Sequence, residues 1–175
     1  GVLGEHGAGL AEELGVSSRI DFQMGTLSKA AGVSGGYVAC SRAWADVMVN
    51  SARSLIYSTA PPPALAAAAL AAVEVIRSAE GQELRRHVSV LADALSSALG
   101  MPGRPVSSIF PVVMGENDAA LAAAGTLLER GFLAPAIRYP TVPRGTARLR
   151  VTVTAAHRDV QIGRLGKALA ELLHG

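Results

Sequence analysis

The chain has 175 residues, enough for one domain with a sizeable core or for two small ones. Half of the residues are apolar, but alanine supplies much of that share and aromatics make up only 4%, so the core is expected to be built from small side chains. A net charge of +2, with no basic run interleaved with aromatics, argues against nucleic acid as a partner, and the single cysteine, Cys40, rules out an internal disulfide framework.

Gly1 to Gly7 contains three glycines and reads as a loop, with His6 a loop residue because no second ligand stands at metal spacing. No basic region precedes an apolar run, so no signal peptide is expected, and the chain opens at Gly1 in mid-pattern, as if cut from something longer. Ala8 to Gly15 reads as a short helix, Arg19 to Met24 as a strand, and Gly35 to Cys40 as the next strand, where a buried thiol is expected at Cys40. Ser41 caps a helix from Arg42 to about Arg53, with Trp44, Val47 and Met48 on one face. Pro61 to Pro63 open a long alanine-rich helix reaching Ile76. A membrane span needs ~20 strongly apolar residues, and this stretch is mostly alanine and contains Glu74, so a packed soluble helix is expected and no membrane association.

A second helical run covers Gln82 to Leu99 and stops at Gly100, with Pro102 beyond. Ser107 to Met114 reads as a strand, and Asn117 or Asp118 caps a helix that ends near Gly131. Arg148 to Thr154 alternates as a strand, which places Arg148 and Arg150 on one face. His157 belongs with the start of the last helix, Asp159 to Leu173, whose apolar stripe is Ile162, Leu165, Leu169 and Leu172. Alternating strands and helices indicate α/β layering.

One segment, Met24 to Gly36, is small-residue and glycine-rich and carries a lysine. The chain uses arginine for nearly all its positive charge and has only two lysines, Lys29 and Lys167. A desolvated lysine amine loses its proton and acts as a nucleophile, which a guanidinium does not. On its residues alone the segment leaves two readings open, a solvated loop lysine or a reactive one. Gly32-Val33-Ser34-Gly35-Gly36 has the form of a nucleophile elbow, but that motif needs a helix after it, and here a strand follows. A phosphate-binding ATP loop is rejected too, since its first glycine is missing and Ala30 stands where a hydroxyl residue would hold magnesium. Hydroxyls and backbone amides of the segment remain able to bind phosphate.

Gly25-Thr26-Leu27-Ser28-Lys29-Ala30 followed by Gly35-Gly36-Tyr37-Val38 resembles the cofactor-lysine segment of the α-oxoamine synthases, which are fold-type I pyridoxal phosphate enzymes. Tyr57-Ser58-Thr59-Ala60-Pro61-Pro62, Pro140-Thr141-Val142-Pro143 and Gly145-Thr146-Ala147-Arg148-Leu149-Arg150-Val151-Thr152 extend the resemblance to the C-terminus in one register. It implies the C-terminal part of a fold-type I α/β transferase, with residues 1–76 the remainder of the large cofactor-binding domain and 77–175 a small α/β domain.

The resemblance further implies that Lys29 holds pyridoxal 5'-phosphate and serves as the catalytic base. Thr26 matches a threonine that contacts the cofactor phosphate. Ser58 and Thr59 match the pair that reaches the phosphate of the neighbouring subunit, so each site is shared across a homodimer. Arg150 matches the arginine that holds the substrate carboxylate, and Thr141 matches a substrate-side threonine; Arg148 is left as structural. From the residues alone, Ser58 and Thr59 also read as a cap and Arg150 as a surface arginine.

The implied reaction is the decarboxylating condensation of an amino acid with an acyl-CoA, or with the same acyl group on a carrier protein, in the cytoplasm. The wording of the last two motifs is most similar to the branch of biotin synthesis that uses L-alanine and a pimeloyl thioester; a glycine-using branch is the alternative. The family's Asp-Asp-x-His-Gly segment, whose aspartate pairs with the pyridine nitrogen, falls before the position of Gly1. The chain is therefore expected to be inactive alone, and a non-catalytic remnant or dimerisation module is the rival of another class.

Overall fold

The computed structural model describes residues 1–101 and 107–174; the proposed stop signal at Pro102 lies outside them. The chain forms two compact units, Gly1–Arg85 and Arg86–Gly175, and the division falls within one helix.

The first unit opens with a loop pinned by a carboxylate. The Glu12 side chain accepts hydrogen bonds from the backbone N–H of Ala8 (2.9 Å) and of His6 (3.2 Å) and contacts His6 Nδ1 at 2.7 Å. His6 is thus a loop residue, as its spacing implied. Helix α1 (Leu10–Glu13) is a single turn. A 3-10 turn at Ser17–Arg19 takes the first residue of the expected strand, and β1 (Gln23–Thr26) starts later than expected and ends closer to Lys29. It pairs antiparallel with β2 (Gly36–Ala39), from Gln23 opposite Ala39 to Thr26 opposite Gly36.

Ser41 caps α2 (Arg42–Ser51), its hydroxyl accepting the Trp44 N–H. The helix does not run to Arg53. Ala52 is extended (ψ 101°), and α3 (Arg53–Ile56) follows as a separate turn. Helix α4 (Pro63–Arg77) begins at its third proline, whose fixed φ and missing N–H suit the first turn. Ser78 then makes the corner into α5 (Ala79–Ala98), where Gly81 is obligatory in volume. A Cβ there would stand 2.2 Å from the Val75 carbonyl oxygen.

This unit has almost no interior of its own. Val33 is its one buried hydrophobic side chain, and neither α2 nor α4 has a buried residue. The stripe read on α2 exists, but Trp44 and Val47 are exposed, Trp44 leaning on Phe22 with ring centroids 5.2 Å apart. Cys40 is a half-buried free thiol.

The core belongs to the second unit. A three-stranded antiparallel sheet of order β3–β5–β4 is built from β3 (Ile109–Gly115), β4 (Ala136–Ile137) and β5 (Ala147–Thr152). β5 alternates as read: Ala147, Leu149 and Val151 point inward, while Arg148, Arg150 and Thr152 face the other way. Phe110 and Val112 of β3 join the inward face, and a bulge between Val113 and Gly115 ends the regular pairing.

The inner face packs against the second half of α5, α6 (Asn117–Glu129) and α7 (Asp159–His174), burying Leu95, Leu127 and Leu169 completely. Of the α7 stripe, Ile162 and Leu169 are buried and Leu165 and Leu172 partly so. The α6 cap position falls on Glu116, not on Asn117 or Asp118; the Asn117 side-chain oxygen instead accepts the Tyr139 N–H at 3.3 Å. Helix α5 ends on schedule, with Gly100 in the left-handed region (φ 62°). Among the described residues no helix is long and apolar enough to cross a membrane.

Candidate functional site

The lysine sits in the nine-residue connection between β1 and β2. Its base is closed by the Leu27 N–H donating to the Gly35 carbonyl and the Val33 N–H donating to the Leu27 carbonyl, both at 2.9 Å. Val33 drops inward and anchors the connection. The Gly32 N–H donates to the Lys29 carbonyl at 3.0 Å, and Gly32 has φ 64°, a conformation that side-chain-bearing residues rarely adopt. The glycine pattern therefore makes a tight, cross-bonded loop around Lys29.

Lys29 is exposed, and its amine has no ion pair or hydrogen bond among the described residues. Two hydroxyls stand at its side. Thr26 Oγ1 lies 2.8 Å from Ser28 Oγ, accepts the Ser28 N–H at 3.2 Å, and reaches the Gly35 carbonyl at 3.3 Å. Thr26, Ser28 and Lys29 thus gather an amine and two hydroxyls on one short segment, the donor chemistry that a phosphorylated aldehyde would engage. Reading the sequence singled out Thr26 and missed Ser28; the signal available was the Thr-x-Ser spacing, in which a threonine hydroxyl can take the N–H two residues on and fold the second hydroxyl back towards it.

Ser58 and Thr59 are exposed beyond the end of α3. Ser58 Oγ donates back to the Leu55 carbonyl at 2.7 Å, closing its own turn, while α4 is entered through Pro62 with no side-chain cap. Neither hydroxyl is bonded to the Thr26–Lys29 group.

Within the second unit, Arg150 lies on the sheet face turned away from the core and is exposed. Its neighbour on that face, Arg148, is tied down, its Nε donating to the Thr146 carbonyl at 3.0 Å. Thr141 is exposed in the turn before β5, its N–H donating to the Arg138 carbonyl at 2.8 Å. Arg144 stacks on the Tyr139 ring at 4.3 Å and braces the same turn.

The family model for aminotransferase class I and II matches residues 1–169. The chain belongs to that family. Its curated relatives include the 8-amino-7-oxononanoate synthase of Anaeromyxobacter dehalogenans (strain 2CP-C). That relative is 49% identical over 179 residues, covering all of this chain and 45% of the relative. Among solved structures, serine palmitoyltransferase with a PLP internal aldimine is 26% identical with a TM-score of 0.88, covering 97% of this chain and 44% of that one. The 8-amino-7-oxononanoate synthase of Francisella tularensis, at 22% identity, shares the fold with a TM-score of 0.84, over 98% of this chain and 51% of that one. This aminotransferase class I and II chain thus spans about half the length of the proteins it matches. The nucleophile-elbow reading falls with the fold, since β2, not a helix, follows Gly35.

Proposed function

We propose that the chain is the C-terminal part of an 8-amino-7-oxononanoate synthase, a pyridoxal phosphate-dependent acyltransferase that condenses L-alanine with a pimeloyl thioester, on CoA or a carrier protein, and releases CO2. The observation that carries this reading is 49% identity along the whole chain to a synthase of that name. Its supports within the molecule are the cross-bonded lysine loop and Arg150, exposed on the sheet face turned away from the core. On the same reading, residues 1–76 complete a large cofactor-binding domain, 77–175 are the small domain, and the protein works in the cytoplasm.

The residues fit the cofactor they would hold. Lys29 would carry it through Nζ, and Thr26, with Ser28 beside it, would donate hydroxyl hydrogen bonds to its phosphate. Bound there, pyridoxal phosphate supplies the electron sink for charge that develops at the amino acid's α-carbon. Lys29 Nζ takes the α-proton as general base and later returns a proton to the same carbon of the decarboxylated product. Arg150 presents a planar fork to the alanine carboxylate and fixes which bond at the α-carbon is broken. Thr141 lies on the substrate side.

Ser58 and Thr59 serve the site of a second copy, in a homodimer. Their exposure, and the uncovered apolar side chains of α2 and α4 in a unit with one buried hydrophobic, support a chain that folds against more protein than is present here. By itself the chain is expected to be inactive.

The deciding experiment offers L-alanine, glycine and L-serine, each with pimeloyl-CoA and with acetyl-CoA, to the protein expressed from its complete coding sequence, and identifies the products by mass spectrometry. Formation of 8-amino-7-oxononanoate from alanine, with the other two much slower, supports the reading. A preference for glycine with acetyl-CoA moves it to the 2-amino-3-ketobutyrate ligase branch. No turnover with any pair favours a non-catalytic module.

A further inference from the structure

One cavity of the second unit lies apart from every residue assigned above. It is shallow and open to solvent, with a volume of about 380 Å³, and is lined by Arg130, Phe132, Arg164, Lys167, Ala168 and Glu171, of which only Ala168 is buried. Helix α7 supplies four of these residues at positions 164, 167, 168 and 171, a spacing that brings them to one helix face. Arg130 and Phe132 come from the turn that ends α6.

Three cations face one carboxylate. Arg130 Nη1 pairs with Glu171 Oε2 at 2.6 Å, while Arg164 and Lys167 have no ion-pair partner among the described residues. The Arg164 guanidinium lies 5.8 Å from the centre of the Phe132 ring, and Phe132 is half-buried beside the buried Ala168. The cavity therefore combines an aromatic and guanidinium wall with excess positive charge.

We propose that this cavity binds a small organic phosphate bearing a planar ring, a purine mononucleotide being the simplest example. The ring stacks on the solvent side of the Arg164 guanidinium, whose other side lies over Phe132, because guanidinium planes accept flat π-systems. Lys167 meets the phosphate as a compact point charge, and Arg130 swings part of its fork from Glu171 to a phosphate oxygen. A dianion suits this site better than a carboxylate because two unpaired cations await it. The inference is independent of the reaction proposed above.

The test is calorimetric titration of AMP, adenosine and inorganic phosphate into the protein expressed from its complete coding sequence. AMP is expected to bind saturably and at least ~10-fold more tightly than either partial probe, the factor that ~1.4 kcal/mol represents. Lys167→Ala and Arg164→Ala are each expected to weaken AMP about 10-fold or more without lowering the melting temperature, and Lys167→Arg to retain most of the affinity. Absence of saturable AMP binding overturns the proposal. So does binding that survives both alanine substitutions, which places it elsewhere, or phosphate binding as tightly as AMP, which removes the role of the ring wall.

Discussion

Thr26 Oγ1 and Ser28 Oγ approach to 2.8 Å, one residue before Lys29, and the same threonine oxygen also takes the Ser28 N–H. Each hydroxyl holds the other in place, so neither has to be ordered from scratch when an anion arrives. If these groups bind the cofactor phosphate, Thr26→Val loses both the contact and the loop's internal bond. Hydrogen bonds to charged groups contribute ~1.5–3 kcal/mol, so cofactor affinity is expected to fall roughly 10- to 100-fold. Thr26→Ser should keep most of it. Equilibrium dialysis against pyridoxal phosphate measures both variants; equal affinity in Thr26→Val and the parent would remove Thr26 from the site.

Arg150 and Arg148 share a sheet face but not a role. Arg148 is spent on the Thr146 carbonyl, whereas the Arg150 guanidinium has no hydrogen-bond or ion-pair partner among the described residues. Arg150→Lys is expected to raise the KM for the amino acid by about 10-fold or more, because an ammonium cannot bind a carboxylate bidentately. Arg148→Lys should alter it by less than about threefold, in line with a surface change of ±0.5 kcal/mol. Steady-state kinetics with varied alanine separates the two.

Stability is concentrated in the second unit. Leu149 is fully buried between Val112 and Ala136, its pairing partners on the flanking strands. Leu149→Ala is expected to destabilise by ~2–5 kcal/mol. Val113→Ala, at an exposed position of the same sheet, should stay within about 0.5 kcal/mol. Urea unfolding monitored by circular dichroism gives both values.

The entry loop carries the acid-sensitive contact. The Ala8 N–H, and after it the His6 side chain, hold the Glu12 carboxyl below the usual carboxylate range. A carboxyl whose folded pKa is depressed stabilises fully above its unfolded value and loses that contribution as pH falls through the folded one. The Ala8 amide resonance is therefore expected to stay at its neutral-pH position through the ordinary glutamate range and to move only at lower pH. In Glu12→Gln it should be displaced at every pH. Movement centred on an ordinary glutamate pKa would contradict this arrangement.

Much of the fold was legible because its signals are local and periodic. The β5 alternation, the α7 stripe, the prolines before α4 and the glycine ending α5 each impose one backbone state. What escaped depends on tertiary choices. β4 is two residues long, too short to show a period, and exists because β5 offers it an edge. Asn117 has the chemistry of a cap but is drawn to the Tyr139 amide 22 residues away. Ala52 breaks α2 from α3 with neither glycine nor proline to mark the place. The lysine loop was readable because its glycines and its lone lysine are unusual in an arginine-rich chain. The joint action of Thr26 and Ser28 was not, since it appears only once the loop is folded.

The most direct test traps the lysine. The protein from the complete coding sequence is incubated with pyridoxal phosphate, reduced with borohydride, digested and analysed by mass spectrometry, beside Lys29→Ala. The expected result is a pyridoxyl phosphate adduct on Lys29 in near-stoichiometric yield, absent from the variant. An adduct on Lys167 or scattered over other lysines, with Lys29 unmodified, would contradict the assignment of Lys29 as the cofactor's attachment point.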